Sequence, residues 1–250
     1  MEIIASPRHR TIADAVIVTA CRLTVVMPVY NEAATLEQSI SRLQACCDVD
    51  QLVIVDDGSS DGTLDVLDKL QDASNVRVLR HTTNKGKGAA LRTGFAHASG
   101  DVVIVQDADL EYDPGDLSLL VEPILHDEAD VVFGTRFLHG RPAGIRFISY
   151  LANRIITGFF NVIFRQNLTD VETCYKVMRR DILQQISPAL VENRFGVEIE
   201  LAARIVTTPG IRIVEVPITY SPRTRAEGKK IGWRDGVRAL WCILRYRFRT

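Results

Sequence analysis

The chain has 250 residues, 46% hydrophobic and 24% charged, which supplies apolar material for one large α/β core or two small ones. A formal net charge of -1 argues against a general nucleic-acid binder. Its five cysteines are odd in number and show no CxxC pair, which excludes a zinc-ribbon pattern and leaves reduced thiols of a cytosolic setting as the simplest account.

Residues 1–20 carry Arg8, His9 and Arg10 before a short apolar run that contains Asp14. They read as an N-terminal extension rather than a cleaved signal peptide. From Leu23 onward, short β-branched runs alternate with helical patterns. Strands are predicted at Leu23–Val29, Leu52–Asp56, Val76–Arg80, Val102–Gln106 and Asp130–Phe133. They read as largely continuous apolar runs, as strands covered on both faces do. Helices are predicted over 32–46, 86–98 and 114–126, the last with Asp113 as N-cap and Pro114 at its first position. The order implies a mainly parallel sheet with helices on both faces, whose ligands bind outside the carboxyl ends of the strands.

The polar motifs stand at those ends. Gln106-Asp107-Ala108-Asp109 follows the fourth strand. Two carboxylates so placed repel unless a cation sits between them, and Mg²⁺ or Mn²⁺ takes one or two carboxylates plus substrate phosphates. Asp56-Asp57-Gly58 follows the second strand, with Asp61 and Thr63 as caps of the next helix. Pro28-Val29-Tyr30-Asn31-Glu32 closes the first strand, where Tyr30 can pack on a base and Glu32 can accept from a base or ribose. Asn84-Lys85-Gly86-Lys87-Gly88 opens a helix whose amides favour anions, without the spacing of an ATPase P-loop.

Two later segments are amphipathic. Residues 145–165 place Ile148, Leu151, Ile155, Phe159 and Val162 on one stripe, which suits a core helix and a membrane-contacting one equally. Residues 231–250 carry Val237, Leu240, Trp241, Leu244 and Phe248 among arginines, and residues 223–250 hold a net +7 against -8 for the rest. Such an end suits a helix lying on an anionic lipid surface. No stretch reaches the roughly 18 apolar residues expected of a spanning helix.

Taken together, Val26–Glu32, Val55–Thr63, Asn84–Ala90, Gln106–Glu111 and Phe133–Phe137 resemble the GT-A glycosyltransferases of family 2, nearest to the polyprenyl- and dolichyl-phosphate mannosyltransferase-like members. The resemblance runs from about Leu23 to Trp241, so that residues 21–230 read as the transferase domain. It implies that Pro28, Tyr30, Glu32, Asp56 and Asp57, with Lys87 and Gln106, bind the nucleotide-sugar donor, GDP-mannose or UDP-glucose. It implies that Asp107 and Asp109 hold the metal and diphosphate, and that Arg136 meets phosphate oxygens.

Members that use a sugar hydroxyl as acceptor carry a Glu-Asp pair in the second half as base. Here the segment is Asp170-Val-Glu172, with Asp170 the nearest match. A phosphate monoester has its second pKa near ~6 and needs no base, so the departure favours a polyprenyl or dolichyl phosphate acceptor. Arg136, Arg154, Lys176, Arg223, Arg225 and Lys229 are its candidate partners. The expectation is an inverting hexosyltransferase, peripheral on the cytoplasmic face of a membrane, alone or with a separate membrane-spanning partner. A soluble or polymeric saccharide acceptor, and a non-enzymatic nucleotide-binding module, are the alternatives.

Overall fold

The computed structural model describes residues 21–70, 73–223 and 233–248. The extension at 1–20 and the basic residues Arg225 and Lys229 lie outside them. Seven strands form one sheet: β1 (Leu23–Val29), β2 (Gln51–Asp56), β3 (Val76–Arg80), β4 (Val102–Val105), β5 (Val131–Thr135), β6 (Lys176–Arg179) and β7 (Ile213–Pro217), in the order β3-β2-β1-β4-β6-β5-β7. Only β6 runs antiparallel, against both β4 and β5. β1 is the spine: Thr24 lies level with Gln51 of β2 and with Val103 of β4. Its Val25, Val26 and Met27 are fully buried, which is why the run is continuously apolar.

The five strands expected from the sequence are present, β1 and β3 with the expected bounds and β2, β4 and β5 shifted by one or two residues at one or both ends. β6 and β7 were not expected. They are short, and Lys176 and Glu215 within them interrupt the apolar pattern.

Between the strands run α1 (Leu36–Cys46), α2 (Thr63–Asp68), α3 (Lys87–Phe95) and α4 (Leu117–Leu125), then α5 (Phe147–Phe164), α6 (Arg180–Ile186), α7 (Val197–Thr207) and α8 (Trp233–Arg247). Asp113 does cap the helical segment after it, its side chain accepting from the Gly115 amide at 2.9 Å, although the first turn is 3-10. The chain moves outward from β1 to β2 and β3, then returns through α3 to β4 on the other side of β1. Right-handed crossovers therefore put α3 on the face opposite α1 and α2, and open a crevice at the carboxyl ends of β1 and β4.

The two amphipathic segments pack on each other and on α7. α5 buries Asn153, Ile156, Thr157, Phe160 and Phe164. Its other face leaves Phe147, Ile148, Leu151, Ile155 and Val162 exposed. At 18 residues, α5 is long and apolar enough to cross a membrane by length and composition, and only 28% of it is buried. α8 buries Ala239, Cys242, Ile243 and Tyr246 and leaves Val237, Trp241, Leu244 and Phe248 exposed. It is clamped by the buried carboxylate of Glu192, which accepts from Arg238 at 2.6 Å, Tyr246 Oη at 2.9 Å and Arg245 at 3.4 Å. Arg245 also lies over the Trp241 ring, 4.7 Å from its centroid.

Candidate functional site at the carboxyl rim of the sheet

Glu32 follows β1, Asp57 follows β2, Asp107 and Asp109 follow β4, and Arg136 follows β5, so all five sit at one rim. The turn after β1 needs a left-handed residue, Asn31 at φ +52°, a conformation asparagine tolerates. Asn31 ties that turn to the one after β2: its amide donates to Ser59 Oγ at 2.9 Å and its side-chain oxygen accepts from the Ser60 amide at 2.8 Å.

Asp56 and Asp57 are buried, with their oxygens turned to the protein's own backbone. Asp56 accepts from the Gly58 amide at 3.2 Å and the Ser59 amide at 3.3 Å. Asp57 accepts from the Lys85 amide at 2.9 Å, the Gly86 amide at 2.6 Å and His81 Nδ1 at 2.6 Å. These amides precede the first turn of α3, where backbone donors have no helical partner. Asp57 therefore holds the loop at Lys85 and Gly86, while Asp56 holds its own turn at Gly58 and Ser59. The loop has no room for a side chain. Gly86 lies at φ +100°, and a Cβ on Gly88 would stand 2.1 Å from the Glu192 carbonyl oxygen.

That loop delivers Lys87 to the acids. Its Nζ lies 2.8 Å from Asp107 and 3.0 Å from Glu198, and Glu198 in turn pairs with Lys176 at 2.7 Å. Burial alone would lower the Lys87 ammonium, but Asp107 and Glu198 hold it well above its ordinary value. Lys176 is completely buried, donating to Glu198 and to the Thr173 carbonyl, so it stands under the site and not open to an acceptor phosphate. Gln106 is likewise a core residue. It accepts from Tyr175 Oη and donates to the Asp107 carbonyl at 3.1 Å, and it does not face a donor.

Asp109 belongs to a second cluster. Its Oδ1 accepts from the Glu111 amide at 3.1 Å across Leu110, which lies at φ +64°. Its Oδ2 lies 3.0 Å from Arg223, which also grips Glu32 at 3.0 Å and 3.3 Å. Glu111 anchors the same stretch, accepting from Tyr220 Oη at 2.6 Å and the Arg223 amide at 2.8 Å. Burial first, then the charges of Asp107 and Glu111, push the Asp109 carboxyl up to about 7 against the pull of Arg223. So crowded a set of oxygens fits a hard divalent cation, which would relieve that repulsion. Asp107 and Asp109, with Glu111, are the residues that would hold such an ion. Among the described residues no three such side chains stand at ligating distance of one another; Lys87 pairs with Asp107 and Arg223 with Asp109.

Across the rim, Arg136 makes a bidentate pair with Asp170, at 2.6 Å and 2.8 Å. Its guanidinium is boxed by Tyr220 and Phe137, 5.0 Å and 5.1 Å from their ring centroids. Asp170 is completely buried and also accepts from Asn153 Nδ2 at 3.2 Å. Its oxygens are spent on Arg136 and Asn153, which suits it to orienting Arg136 and not to taking a proton as base. Asn153 Nδ2 also donates to Glu172 at 3.1 Å. Burial first, and then the neighbouring Asp170 charge, push the Glu172 carboxyl up to about 7. Arg154, one residue on, is exposed on α5. Pro28 and Tyr30 are half-buried at the end of β1.

The sequence reading missed Glu111, Glu198, His81 and Asn153. Glu111 was legible, since it continues the Asp107-x-Asp109 alternation by one more step. The other three come from remote elements, and nothing in their local pattern marks them.

The profile of the family described as "Glycosyl transferase family 2" matches residues 24–187. The chain belongs to that family. Relatives within it include an undecaprenyl-phosphate mannosyltransferase of Micrococcus luteus, 32% identical, covering 90% of this chain and 98% of the relative. A polyprenol monophosphomannose synthase of Mycolicibacterium smegmatis is 30% identical over 84% of this chain and 82% of its own. A dolichol-phosphate mannosyltransferase of Saccharomyces cerevisiae is 29% identical over 84% and 81%. Among solved structures, glucosyl-3-phosphoglycerate synthase of Mycobacterium tuberculosis, in complex with Mn²⁺, UDP and phosphoglyceric acid, superposes with a TM-score of 0.70. It is 22% identical and covers 92% of this chain and 79% of that one. The α/β fold of this family 2 glycosyltransferase is thereby that of the GT-A enzymes expected from the sequence.

Proposed function

We propose that this family 2 glycosyltransferase moves a hexose, mannose or glucose, from a nucleoside-diphosphate sugar to a polyprenyl or dolichyl phosphate at the cytoplasmic surface of a membrane. The observation that carries the reading is the crowding of Asp107, Asp109 and Glu111 at the same rim as Arg136, with Tyr220 packed on the Arg136 guanidinium and hydrogen-bonded to Glu111. Arg136 in turn is linked to α5, whose other face is apolar and exposed, through Asp170 and Asn153 and through the Phe137–Tyr150 ring contact. The names of the relatives point to the same acceptor class and to mannose.

A bound Mg²⁺ or Mn²⁺ would supply charge neutralisation of the departing nucleoside diphosphate. The chain's own residues do the rest. Glu32 and Tyr30 border the donor cleft at the end of β1. Asp57 fixes the loop that leads into α3, and Lys87 at its start stands beside Asp107, where it can meet the diphosphate. Arg136, oriented by Asp170 and walled by Phe137 and Tyr220, receives the acceptor phosphate, for which a rigid planar fork is suited. That phosphate is mostly dianionic at neutral pH, so one of its oxygens attacks the anomeric carbon without a base. The new C–O bond forms as the bond to the diphosphate breaks, with inversion, and positioning and electrostatics supply the rate.

The apolar residues Leu151, Ile155, Val162, Val237, Trp241 and Leu244, flanked by Arg154, Arg238 and Arg247, support docking of the α5–α8 face on an anionic bilayer. A separate membrane partner on the same face is the alternative anchor. Transfer of labelled mannose from GDP-mannose, and of glucose from UDP-glucose, to undecaprenyl phosphate in vesicles tests the proposal. Turnover should need Mn²⁺ or Mg²⁺ and fall at least a hundredfold in Asp109→Ala, in line with the loss of a key electrostatic group. Undiminished turnover of that variant with chelator present would sink the metal role.

One observation favours a second reading. A carboxyl at about 7, as in Glu172, is poised for general-base catalysis on a sugar hydroxyl. A soluble or polymeric saccharide acceptor would then replace the lipid phosphate, and Glu172→Gln separates the two.

A further inference from the structure

We infer that Asn153, on α5, is a positioning residue for the acceptor step: it fixes the carboxylate of Asp170 and thereby the direction in which Arg136 offers its guanidinium to a phosphate. The inference rests on the reading of Arg136 as the acceptor-phosphate residue and goes beyond it by naming the side chain that aims it.

The Asp170 carboxylate is held at both oxygens. Oδ2 accepts from Arg136 Nε at 2.6 Å and from the Arg136 backbone amide at 3.2 Å. Oδ1 accepts from Arg136 Nη2 at 2.8 Å and from Asn153 Nδ2 at 3.2 Å. Among the described residues, Asn153 is thus the one partner of this carboxylate that does not belong to Arg136 itself. The bidentate pair occupies the Nε–Nη2 edge of the guanidinium, so a phosphate has to meet it from the Nη1 side. The guanidinium is planar and rigid, and the plane of the carboxylate it grips decides where Nη1 points. Asn153 sets that plane from outside the pair.

The orientation of Asn153 is itself determined. The residue is buried, and its Nδ2 also donates to Glu172 Oε2 at 3.1 Å. Its Oδ1 accepts from Thr157 Oγ1 at 3.3 Å, and that hydroxyl accepts in turn from the Val171 amide at 3.3 Å. The Val171 amide leaves the hydroxyl proton for Asn153 Oδ1, so the Asn153 amino group has to face the two carboxyl groups. Asn153 and Thr157 stand one turn apart on one face of α5. Together they bind three successive residues, Asp170, Val171 and Glu172. A buried network with its donors engaged in this way specifies a single arrangement of the segment. The other face of α5 exposes Ile148, Leu151 and Ile155, so Arg136 is aimed from the same helix that is proposed above to lie on the lipid surface.

The test varies undecaprenyl phosphate in vesicles at saturating labelled GDP-mannose or UDP-glucose, and separately measures binding of UDP or GDP with Mn²⁺. Asn153→Ala should raise KM for the lipid phosphate about tenfold, while kcat at saturating lipid and nucleotide affinity stay within about twofold of wild type. A merely structural role would lower kcat and nucleotide binding along with the folded fraction. In the Arg136→Lys background, where the fork is already lost, Asn153→Ala should add less than about twofold. Thr157→Val keeps the Asn153 donors and removes only what orients them. It should raise the same KM by about threefold, and it carries the test should Asn153→Ala melt below the assay temperature. An unchanged KM in Asn153→Ala or Thr157→Val, or a full effect of Asn153→Ala in the Arg136→Lys background, would overturn the inference. The acceptor reading would still stand if Arg136→Lys alone raised KM. A KM that Arg136→Lys leaves unchanged, or no transfer to undecaprenyl phosphate by wild type, would overturn both.

Discussion

Replacing Glu172 by Gln should stabilise the protein, and by more as pH rises. The carboxyl moves from an ordinary 4.5 in the unfolded chain to about 7 in the fold. Below 4.5 both states are protonated and the shift costs nothing. As pH rises the unfolded chain releases its proton first, so folding must retain one, and stability falls until pH passes the folded value. At pH 5 the cost is about 1 kcal/mol, and at pH 8 it reaches about 3 kcal/mol. Gln keeps an oxygen for the Asn153 amide, which donates at 3.1 Å, so that hydrogen bond survives. Urea denaturation of wild type and Glu172→Gln at pH 5 and pH 8 checks this. The variant should gain under about 1 kcal/mol at pH 5 and about 3 kcal/mol at pH 8. A gain independent of pH, or a loss at pH 8, would refute the placement of this carboxyl among Asp170 and buried apolar groups. The same protein also separates the two functional readings. Retained transfer to a lipid phosphate fits a reaction without a base, and a loss of roughly 10²-fold or more fits Glu172 as base to a hydroxyl.

Three further outcomes are expected. Asp170→Asn leaves the Arg136 guanidinium inside its aromatic box with no counter-charge, and should cost about 3–5 kcal/mol in urea unfolding together with most of the turnover. Gly88→Ala places a methyl 2.1 Å from the Glu192 carbonyl oxygen; the strain should lower stability by about 1–3 kcal/mol and weaken UDP or GDP protection in thermal melts. Trp241→Glu or Val162→Glu, both on exposed positions, should reduce sedimentation with anionic vesicles while leaving the melting temperature close to wild type, and added salt should weaken wild-type binding. Arg245→Glu is a poorer probe of the same face, because Arg245 also reaches the buried Glu192.

Much of this protein was written locally. Continuous runs such as Leu23–Val29 and Leu52–Val55 specify strands covered on both faces, and acids immediately after them mark the rim where ligands bind. The stripes of residues 145–165 and 231–250 were also readable, because a period of 3.6 sorts side chains onto one face without reference to anything else. Only tertiary structure decided what each polar group does. Asp57 and Asp109 look alike as acids after strands, yet the fold gives one the amides of a loop nearly thirty residues away and leaves the other facing like charges and a single arginine. Lys176 and Lys87 are both lysines beside glycines or strands, and burial makes one a foundation for the other through Glu198. Secondary structure follows from near-neighbour sterics and the spacing of apolar residues. The ionisation and availability of a charged group depend on which distant chain segments exclude its water and supply its partners, and that is settled only when the sheet is assembled.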